Sequence, residues 1–411
     1  MRYFIESYGC TMNYGEGDML SRRMESLGFE RCDSAEDADI VILNTCTVVE
    51  TTEKRMIKRM NDLRTLRKDV IVTGCMAKVQ SNRISLRLPN ALIVPPDKYD
   101  DFQEIVQNRF GTGDSEKRTP YGRTAIIPIA QGCLGNCSYC ITRFARGRLV
   151  SRPPEQILSE FRECVDAGVR EILVTAQDTA CYGLDIGTDL PSLIKLLLSV
   201  EGDYRIRIGM MNPNHLVPIL DGMLDVLSDT RVYRFLHIPV QSGSDDVLEG
   251  MRRHYTAERF MDTVRALRSR FPDISIATDI ICGFPGETEE DHMSTISLIR
   301  ELRADTLNIT RYSPRPGTDS MRMDGAVNGN ISKRRSQELT DVKNEVEYDV
   351  NSGLIGRTVD VLITEVGKDG TMIGRTDNYR PVAFRTVLPL GSNTRVEITG
   401  CASTYLTGKE C

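Results

Sequence analysis

Apolar and polar residues alternate along the chain in patterns that change twice, and the changes mark three regions. From residue 124 to about 320, short apolar runs alternate with segments of helical period, which is typical of a parallel sheet built from β-α units. Six strands are predicted here: TAIIPIAQ, EILVTAQD, RIRIGMM, RFLHIPV, SIATDIICGF and TLNITRYS. Six β-α units predict a partial (βα)6 TIM-like barrel, open rather than closed.

The flanking regions follow other patterns. Residues 113–123 are polar, contain Gly and Pro and lack periodicity, as a linker does. A long charged helix is predicted at about 332–350, and residues 353–411 carry short β runs between Gly-containing turns, as in a small β-barrel. We therefore predict an α/β protein with a parallel α/β domain, the partial barrel and the small β-barrel at residues 1–112, 121–345 and 350–411.

Composition narrows the class of protein. The 411 residues, 40% hydrophobic and 27% charged, are typical of a globular chain with several domains. The longest apolar run, LPSLIKLLLSV, is too short for a membrane span, and MRYFIESYGC lacks the layout of a signal peptide, so we expect a cytoplasmic protein without a membrane partner. The net charge of -6 gives no overall signal for nucleic-acid binding. In a reducing compartment, twelve cysteines favour metal ligands or reactive thiols over disulfides.

The stretch QGCLGNCSYC places three cysteines at C-x₃-C-x₂-C spacing directly after the first barrel strand; we call Cys133, Cys137 and Cys140 the triplet. Barrel active sites form at the C-terminal ends of the strands. A 4Fe–4S cluster takes four thiolates, so three leave one iron open for a substrate. A zinc site would require a fourth ligand nearby. The triplet therefore predicts a reactive iron–sulfur cluster.

Three more cysteines each end a predicted strand of the first domain, in YFIESYGC, DIVILNTC and DVIVTGC; we call Cys10, Cys46 and Cys75 the strand-end set. The carboxyl ends of parallel strands lie on one edge of a sheet, so these thiolates converge. Three ligands again predict a cluster with an open iron, available for a sulfur species. The other six cysteines are expected to be structural or incidental: Cys32, Cys164, Cys181, Cys282, Cys401 and Cys411.

The triplet resembles that of the radical S-adenosylmethionine enzymes, and SYGCTMN, NTCTV and TGCMAK resemble the amino-terminal domain of the methylthiotransferases within that group. The resemblance covers essentially the entire chain and implies that residues 353–411 are a TRAM domain, an RNA-binding barrel. It implies two 4Fe–4S clusters, with S-adenosylmethionine as radical source and methyl donor. The triplet would serve radical generation, the strand-end set sulfur delivery, and Tyr139 would lie near the cofactor adenine. An electron donor and a sulfur source would be external partners.

The same resemblance suggests a substrate. RIGMMNP, VYRFLHIPVQSGSDDVL, IATDIICGFPGET and YSPRPGT are most similar to archaeal and eukaryotic members that act on N6-threonylcarbamoyladenosine beside the tRNA anticodon, with a methylthio group at adenine carbon 2 in the product. TAQDTACYG also resembles the enzymes that act on a ribosomal-protein aspartate. Isopentenyladenosine tRNA is another alternative substrate, and a non-catalytic RNA-binding sensor of iron or oxygen is an alternative function.

Four further barrel residues are candidate cofactor contacts. Gln177 and Asp178 follow the second strand, where a polar pair is predicted to bind the methionine amino group, although such residues are common in turns. Arg207 lies among apolar neighbours, so its burial requires a carboxylate from cofactor or substrate, or a structural salt bridge. Gln241 follows the fourth strand, at a position that faces the ligand. His237 is expected to pack within its strand rather than act as a ligand or base.

Two arginine-containing stretches are the candidate RNA contacts. ITRFARGRLVSR follows the triplet, and GRTDNYRPV lies in the last domain. Arginine contacts phosphates and stacks on bases, and tyrosine offers a stacking surface. The alternatives are a solvated surface and a plain turn. The candidate residues are Arg143, Arg146, Arg148, Arg375, Tyr379 and Arg380.

Overall fold

The computed structural model describes residues 1–48 and 50–411. Its first part is a parallel sheet of order β2-β1-β3-β4-β5. The strands are β1 Arg2–Ser7, β2 Glu30–Arg31, β3 Ile40–Thr45, β4 Asp69–Gly74 and β5 Leu92–Ile93. The helices are α1 Thr11–Ser26, α2 Glu50–Leu66, α3 Cys75–Val79, α4 Ser81–Ser85 and α5 Phe102–Phe110.

The central strand β3 is buried along its whole length, because helices cover both faces of the sheet. Val41 and Leu43 pack on one face with the apolar side of α2, whereas Ile40 and Ile42 pack on the other face with α1 and α5. An unbroken apolar run is what a strand in such a position requires, since its side chains alternate between two covered faces.

The middle region contains two three-stranded parallel sheets, of order β10-β9-β6 and β11-β12-β13. Their strands are β6 Thr124–Pro128, β9 Glu171–Thr175, β10 Arg205–Ile208, β11 Phe235–His237, β12 Ser275–Cys282 and β13 Thr306–Arg311. Two short strands, β7 Ala130–Gln131 and β8 Val150–Ser151, form a separate antiparallel pair. A parallel bridge from Ile206 to Val232 joins the two sheets. The six predicted strands thus form one open parallel array, and the predicted partial barrel is confirmed.

Helices cover the outside of this array. They are α6 Thr142–Arg146, α7 Pro154–Asp166, α8 Leu190–Leu198, α9 Pro213–Leu216, α10 Leu220–Val226, α11 Asp245–Gly250, α12 Ala257–Arg270, α13 Glu289–Leu302 and α14 Gly329–Ser352. The main core lies between these helices and the outer faces of the strands. The last helix is longer than predicted at both ends; it begins with an Asn328 side chain that accepts from Asn330 N. Among the described residues, every helix is too short or too polar to cross a bilayer.

The last region is a closed barrel of order β14-β15-β16-β18-β17, which confirms the predicted small β-barrel. Its strands are β14 Thr358–Val366, β15 Met372–Thr376, β16 Pro381–Phe384, β17 Asn393–Cys401 and β18 Leu406–Glu410. The four β runs recognised in the sequence are present, and β18 is additional. Its sequence, LTGKE, has one large apolar residue, so it carries no alternating pattern.

The last domain is anchored to the middle one by residues expected to contact RNA. Tyr379 packs against Tyr233 and Phe235, with ring centroids 4.9 and 5.1 Å away. Arg380 forms an ion pair with Asp305, whose side chain is 6% exposed. The third expected contact, Arg375, pairs with Glu365 and stacks on Tyr379. Tyr379 and Arg380 thus hold the two domains together, whereas the contacts of Arg375 lie within the last domain. RNA binding by these three residues stays a prediction.

Candidate active site and cluster sites

A cavity of about 960 Å³ opens at the C-terminal ends of the barrel strands. All three cysteines of the triplet line it, as do residues at the ends of β9, β12 and β13. Thr51 from the first domain also lines it, so the cavity lies between the two domains. Four of the five predicted cofactor residues line the same space: Tyr139, Gln177, Asp178 and Gln241. The site therefore lies where a barrel of this kind is expected to form it, at the C-terminal ends of the strands.

The triplet loop folds around Gly135. The Gly135 N–H donates to Cys133 Sγ at 3.2 Å, and a Cβ on this glycine would lie 3.3 Å from that sulfur and 3.8 Å from Cys137 Sγ. Both sulfurs thus border a position without a side chain. Burial raises the pKa of the Cys133 thiol to about 12, so the thiol is protonated at neutral pH, and binding of a metal would displace its proton.

The strand-end set lies on one edge of the first sheet, as predicted, because β1, β3 and β4 are neighbours. Cys46 and Cys75 directly follow their strands and are buried, whereas Cys10 precedes α1 and is exposed. The glycines before two of them are structurally required. Gly9 has φ +112°, and a Cβ there would lie 2.9 Å from Cys46 Sγ; Gly74 has φ +81°, and a Cβ would strike Thr45 O at 2.2 Å.

Both sets fit a cluster better than a single metal ion. Two thiolates on one zinc ion lie about 3.8 Å apart, given bonds of ~2.3 Å and tetrahedral angles. Across residues 1–48 and 50–411, neither set brings three sulfur atoms within 4.8 Å of one another. The cysteines of the described residues form no disulfide bonds. The wider spacing of soft sulfur donors suits the four irons of a cubane cluster.

Arg146, one of the predicted RNA contacts, is buried rather than exposed. The two exposed candidates beside it, Arg143 and Arg148, remain available to RNA, but the Arg146 side chain is only 1% exposed. Its Nε donates to Cys75 Sγ at 3.2 Å, and its guanidinium pairs with Glu16 of α1. Burial acts to lower the pKa of Arg146, but Cys75 and Glu16 outweigh it and raise the pKa well above its usual value, so this residue stays charged.

Gln241 lines the cavity and has an unsatisfied polar atom in its side chain. It has φ +77°, a strained conformation for a residue other than glycine, and its Oε1 is buried with no hydrogen-bond partner among the described residues. Strain and an unpaired buried acceptor concentrate at ligand sites. Gln177 is already engaged, since its Oε1 accepts from Gly132 N at 2.6 Å. This bond ties the end of β9 to the triplet loop.

Asp178 is buried and has three protein partners. Its oxygens accept from Ala180 N at 3.2 Å and from Asn212 N at 3.0 Å, and one lies 2.6 Å from His215 Nδ1. Cys181 completes a group with Asp178 and His215 that has the spacing of metal ligands. Asp178 therefore anchors this loop, because its carboxylate is engaged in hydrogen bonds to other residues of the protein.

Arg207 does not reach the cavity. Its guanidinium lies over the rings of Phe235 and Tyr379, 5.1 and 5.4 Å from their centroids. Its Nε has no hydrogen-bond partner among the described residues. Burial lowers its pKa. Two aromatic faces stabilise this buried cation where a carboxylate was expected. The side chain is not part of the cavity lining, and its contact with the cofactor stays a prediction.

Comparison with known proteins agrees with this architecture. The Radical SAM superfamily model matches residues 127–299, the model named Uncharacterized protein family UPF0004 matches residues 2–95, and the TRAM domain model matches residues 354–409. A probable threonylcarbamoyladenosine tRNA methylthiotransferase from Archaeoglobus fulgidus is 40% identical, over 100% of this chain and 98% of its own length. One from Pyrococcus abyssi is 38% identical over 100% of this chain and 99% of its own. The chain belongs to the threonylcarbamoyladenosine tRNA methylthiotransferase family.

The family extends to eukaryotes, and the threonylcarbamoyladenosine tRNA methylthiotransferase of Drosophila melanogaster is 34% identical over 99% of this chain and 77% of its own length. Among solved structures, the radical S-adenosylmethionine methyltransferase TsrM from Kitasatospora setae shares the fold, with a TM-score of 0.58 and 16% identity over 78% of this chain and 76% of that one. As a radical S-adenosylmethionine methylthiotransferase, this protein uses two 4Fe–4S clusters and S-adenosylmethionine.

Two contacts at the cysteine sites were not predicted from the sequence. Arg253 is buried and donates to Cys137 Sγ at 3.3 Å and to Pro239 O at 2.9 Å. Glu16 is buried in α1 as the partner of Arg146. Both are charged residues in helical or turn sequences that look solvated. Only the packing of distant segments reveals them, so no local signal could have identified either residue.

Proposed function

We propose that this protein converts N6-threonylcarbamoyladenosine, beside the anticodon of tRNA, to its 2-methylthio derivative. The observation that carries the proposal is the presence of two separate cysteine sites, one on a barrel cavity, in a chain that is 40% identical over its whole length to a relative carrying that name. The C–H bond at adenine carbon 2 is too weakly acidic for removal of its proton by a general base. Replacement of this hydrogen by sulfur therefore requires the radical chemistry that iron–sulfur clusters and S-adenosylmethionine provide.

Each cysteine set holds one cluster in this proposal. When bound, the clusters and S-adenosylmethionine supply the radical, the sulfur and the methyl group. The triplet lines the cavity, and a cluster held by these three thiolates would have one iron open for the cofactor. The unpaired Oε1 of Gln241 accepts a hydrogen bond from the cofactor, and Tyr139, which also lines the cavity, provides an apolar surface beside it. Asp178 and Gln177 hold the loops that shape the site.

The RNA partner binds across the exposed surface around the cavity. Arg143 and Arg148 are exposed and follow the triplet loop directly, where they can contact phosphates at the entrance. The TRAM domain supplies a further RNA-binding surface. The reaction also needs an external electron donor and a sulfur source. A tRNA substrate, together with described cysteines that form no disulfide bonds, supports a cytoplasmic location.

The test is anaerobic incubation of the reconstituted protein with S-adenosylmethionine, a strong reductant, a sulfide source and tRNA that carries threonylcarbamoyladenosine. Nucleoside mass spectrometry then measures the 2-methylthio product, and deoxyadenosine is quantified in the same samples. We expect both products. Matched reactions contain the same tRNA without the threonylcarbamoyl group, or tRNA carrying isopentenyladenosine.

Other results would redirect the assignment. Deoxyadenosine without a modified nucleoside would retain the radical chemistry and contradict the substrate; a ribosomal protein would then be tested in place of tRNA. Equal turnover of the isopentenyl tRNA would contradict specificity for the threonylcarbamoyl group. If a protein with a full complement of iron formed neither product, that result would favour an RNA-binding sensor.

A further inference from the structure

A buried arginine joins the two cysteine sites. Arg146 is the last residue of α6, the short helix that begins two residues after the triplet ends. Its Nε donates to Cys75 Sγ at 3.2 Å, its Nη2 donates to Asn13 Oδ1 at 2.7 Å, and its Nη1 pairs with Glu16. The segment that carries the first site thus delivers a cation into the second site.

Asn13 extends this contact to the other two cysteines of the strand-end set. Its Nδ2 donates to Tyr8 O at 2.7 Å and to Thr45 O at 3.0 Å, in the turns that lead into Cys10 and Cys46. The Cys10 sulfur lies 3.8 Å from Asn13 Oδ1. One guanidinium is therefore linked, directly or through a single side chain, to all three ligand positions.

Stability alone does not account for this buried charge. Glu16 is 1% exposed, and its Oε2 is buried with no hydrogen-bond partner among the described residues. A buried ion pair with an unpaired oxygen is commonly no more stabilising than apolar residues of similar volume. A cation beside a thiolate ligand has a different use, because polar neighbours of the sulfur atoms tune a cluster electronically.

We propose that Arg146 is a positioning residue that acts through Cys75 to hold the second cluster and make it easier to reduce. Uptake of one electron from an external reductant adds one negative charge to the cluster. A cation 3.2 Å from a ligand sulfur stabilises the reduced form more than the oxidised one. This inference rests on the part of the proposed function that assigns a cluster to the strand-end set, and it is independent of the RNA substrate.

The test uses the full-length chain with all three triplet cysteines replaced by alanine, so that only the second cluster is reconstituted. In this background, Arg146→Met, Arg146→Lys and Glu16→Gln are compared with Arg143→Met. The last variant removes an exposed arginine from the same helix and is the matched control. Iron content is measured first, and the midpoint potential then comes from a redox titration followed by electron paramagnetic resonance.

We expect Arg146→Met to move the midpoint potential to a more negative value. Arg146→Lys retains the charge, so its potential should lie closer to that of the parent. Glu16→Gln removes a buried negative charge and should move the potential in the opposite direction, and Arg143→Met should leave it unchanged. Opposite shifts from the two partners of one ion pair are not a result of lost packing.

Several results would overturn the inference. One is an Arg146→Met variant with the parent's iron content and potential, and another is an equal shift in the Lys and Met variants. If Arg146→Met cannot hold the cluster, unshifted potentials in Arg146→Lys and Glu16→Gln overturn it instead. A parent without iron also overturns it. No tRNA is present, so these results are distinct from failure of the proposed substrate, which nucleoside analysis of the unmodified protein detects.

Discussion

The two cysteine sites of this protein are built in different ways. The triplet lies within one loop, its sulfurs border an open position at Gly135, and it lines the barrel cavity. The strand-end set comes from three neighbouring strands of the first sheet, and two of its members are buried. A local loop can position its ligands with little help, whereas the second site exists only when the whole parallel edge has formed.

The arginine that contacts each cysteine set also comes from a different place in the two sites. Arg253, which contacts the triplet at Cys137, belongs to the same domain. Arg146, which contacts the strand-end set at Cys75, comes from the neighbouring domain. The second site therefore depends on how α6 packs against α3, and the domain interface is part of its construction. The difference predicts that substitutions of equal size have unequal consequences at the two sites.

The largest expected effect separates the roles of the sites. Cys133→Ala should abolish cleavage of S-adenosylmethionine, because the triplet cannot hold its cluster with two thiolates. Cys46→Ala should leave cleavage intact and stop formation of the methylthio nucleoside. Deoxyadenosine and nucleoside products are measured in the same anaerobic reactions. Loss of cleavage in both variants alike would show that the two sites do not divide the work; Cys401→Ala, far from either set in sequence, is the control.

The next effect concerns the backbone before Cys75. Gly74→Ala places a Cβ 2.2 Å from Thr45 O at φ +81°, a conformation that costs a residue with a side chain about 1–3 kcal/mol before any clash. We expect the free energy of unfolding of the first domain to fall by roughly 3 kcal/mol, with loss of iron from the strand-end set. Both effects are measured in the full-length chain whose three triplet cysteines are replaced by alanine. Denaturant unfolding gives the free energy, and iron analysis gives the occupancy of the strand-end set.

Gly111→Ala is the matched control for that variant. Gly111 has φ +75° and ψ -151°, close to the Gly74 values of +81° and -168°, but a Cβ there meets nothing within 4 Å. It should pay only the conformational cost, about 1 kcal/mol, and keep its iron. Equal losses in the two variants would mean that the close approach of β4 to β3 contributes nothing to the second site.

These contrasts also explain what the sequence could predict. Alternating β and α patterns, the triplet spacing and three cysteines after strands are all local signals, and each led to the correct fold and the correct edge of a sheet. The environments of Arg146, Arg207 and Tyr379 are not local. Each side chain is placed by a segment from another part of the chain, and an arginine or tyrosine in a polar stretch looks the same whether solvent or a neighbouring domain receives it.

A smaller effect is expected within the cavity. Gln241→Met removes the unpaired Oε1 and keeps a side chain of similar length, so a cofactor donor loses its acceptor. The dissociation constant for S-adenosylmethionine should rise about tenfold, or ~1.4 kcal/mol. Equilibrium binding to the reconstituted protein measures it. Gln337→Met on the exposed face of α14 should bind as the parent does. An unchanged constant in Gln241→Met would remove this residue from the cofactor site.

The smallest effect tests the local character of the triplet. Gly135→Ala adds a Cβ 3.3 Å from Cys133 Sγ without a positive φ, so the loop needs to move only by a few tenths of an ångström. Gly9→Ala, in contrast, adds one 2.6 Å from Cys46 Cβ at φ +112°. We expect Gly135→Ala to retain its cluster and lose under about 1 kcal/mol of stability, while Gly9→Ala loses the second cluster.

Iron content is measured with the other set replaced by alanine in each case. If Gly135→Ala emptied its site as completely, the loop would be as constrained as the sheet edge, and the contrast between a locally built and a globally built site would fail.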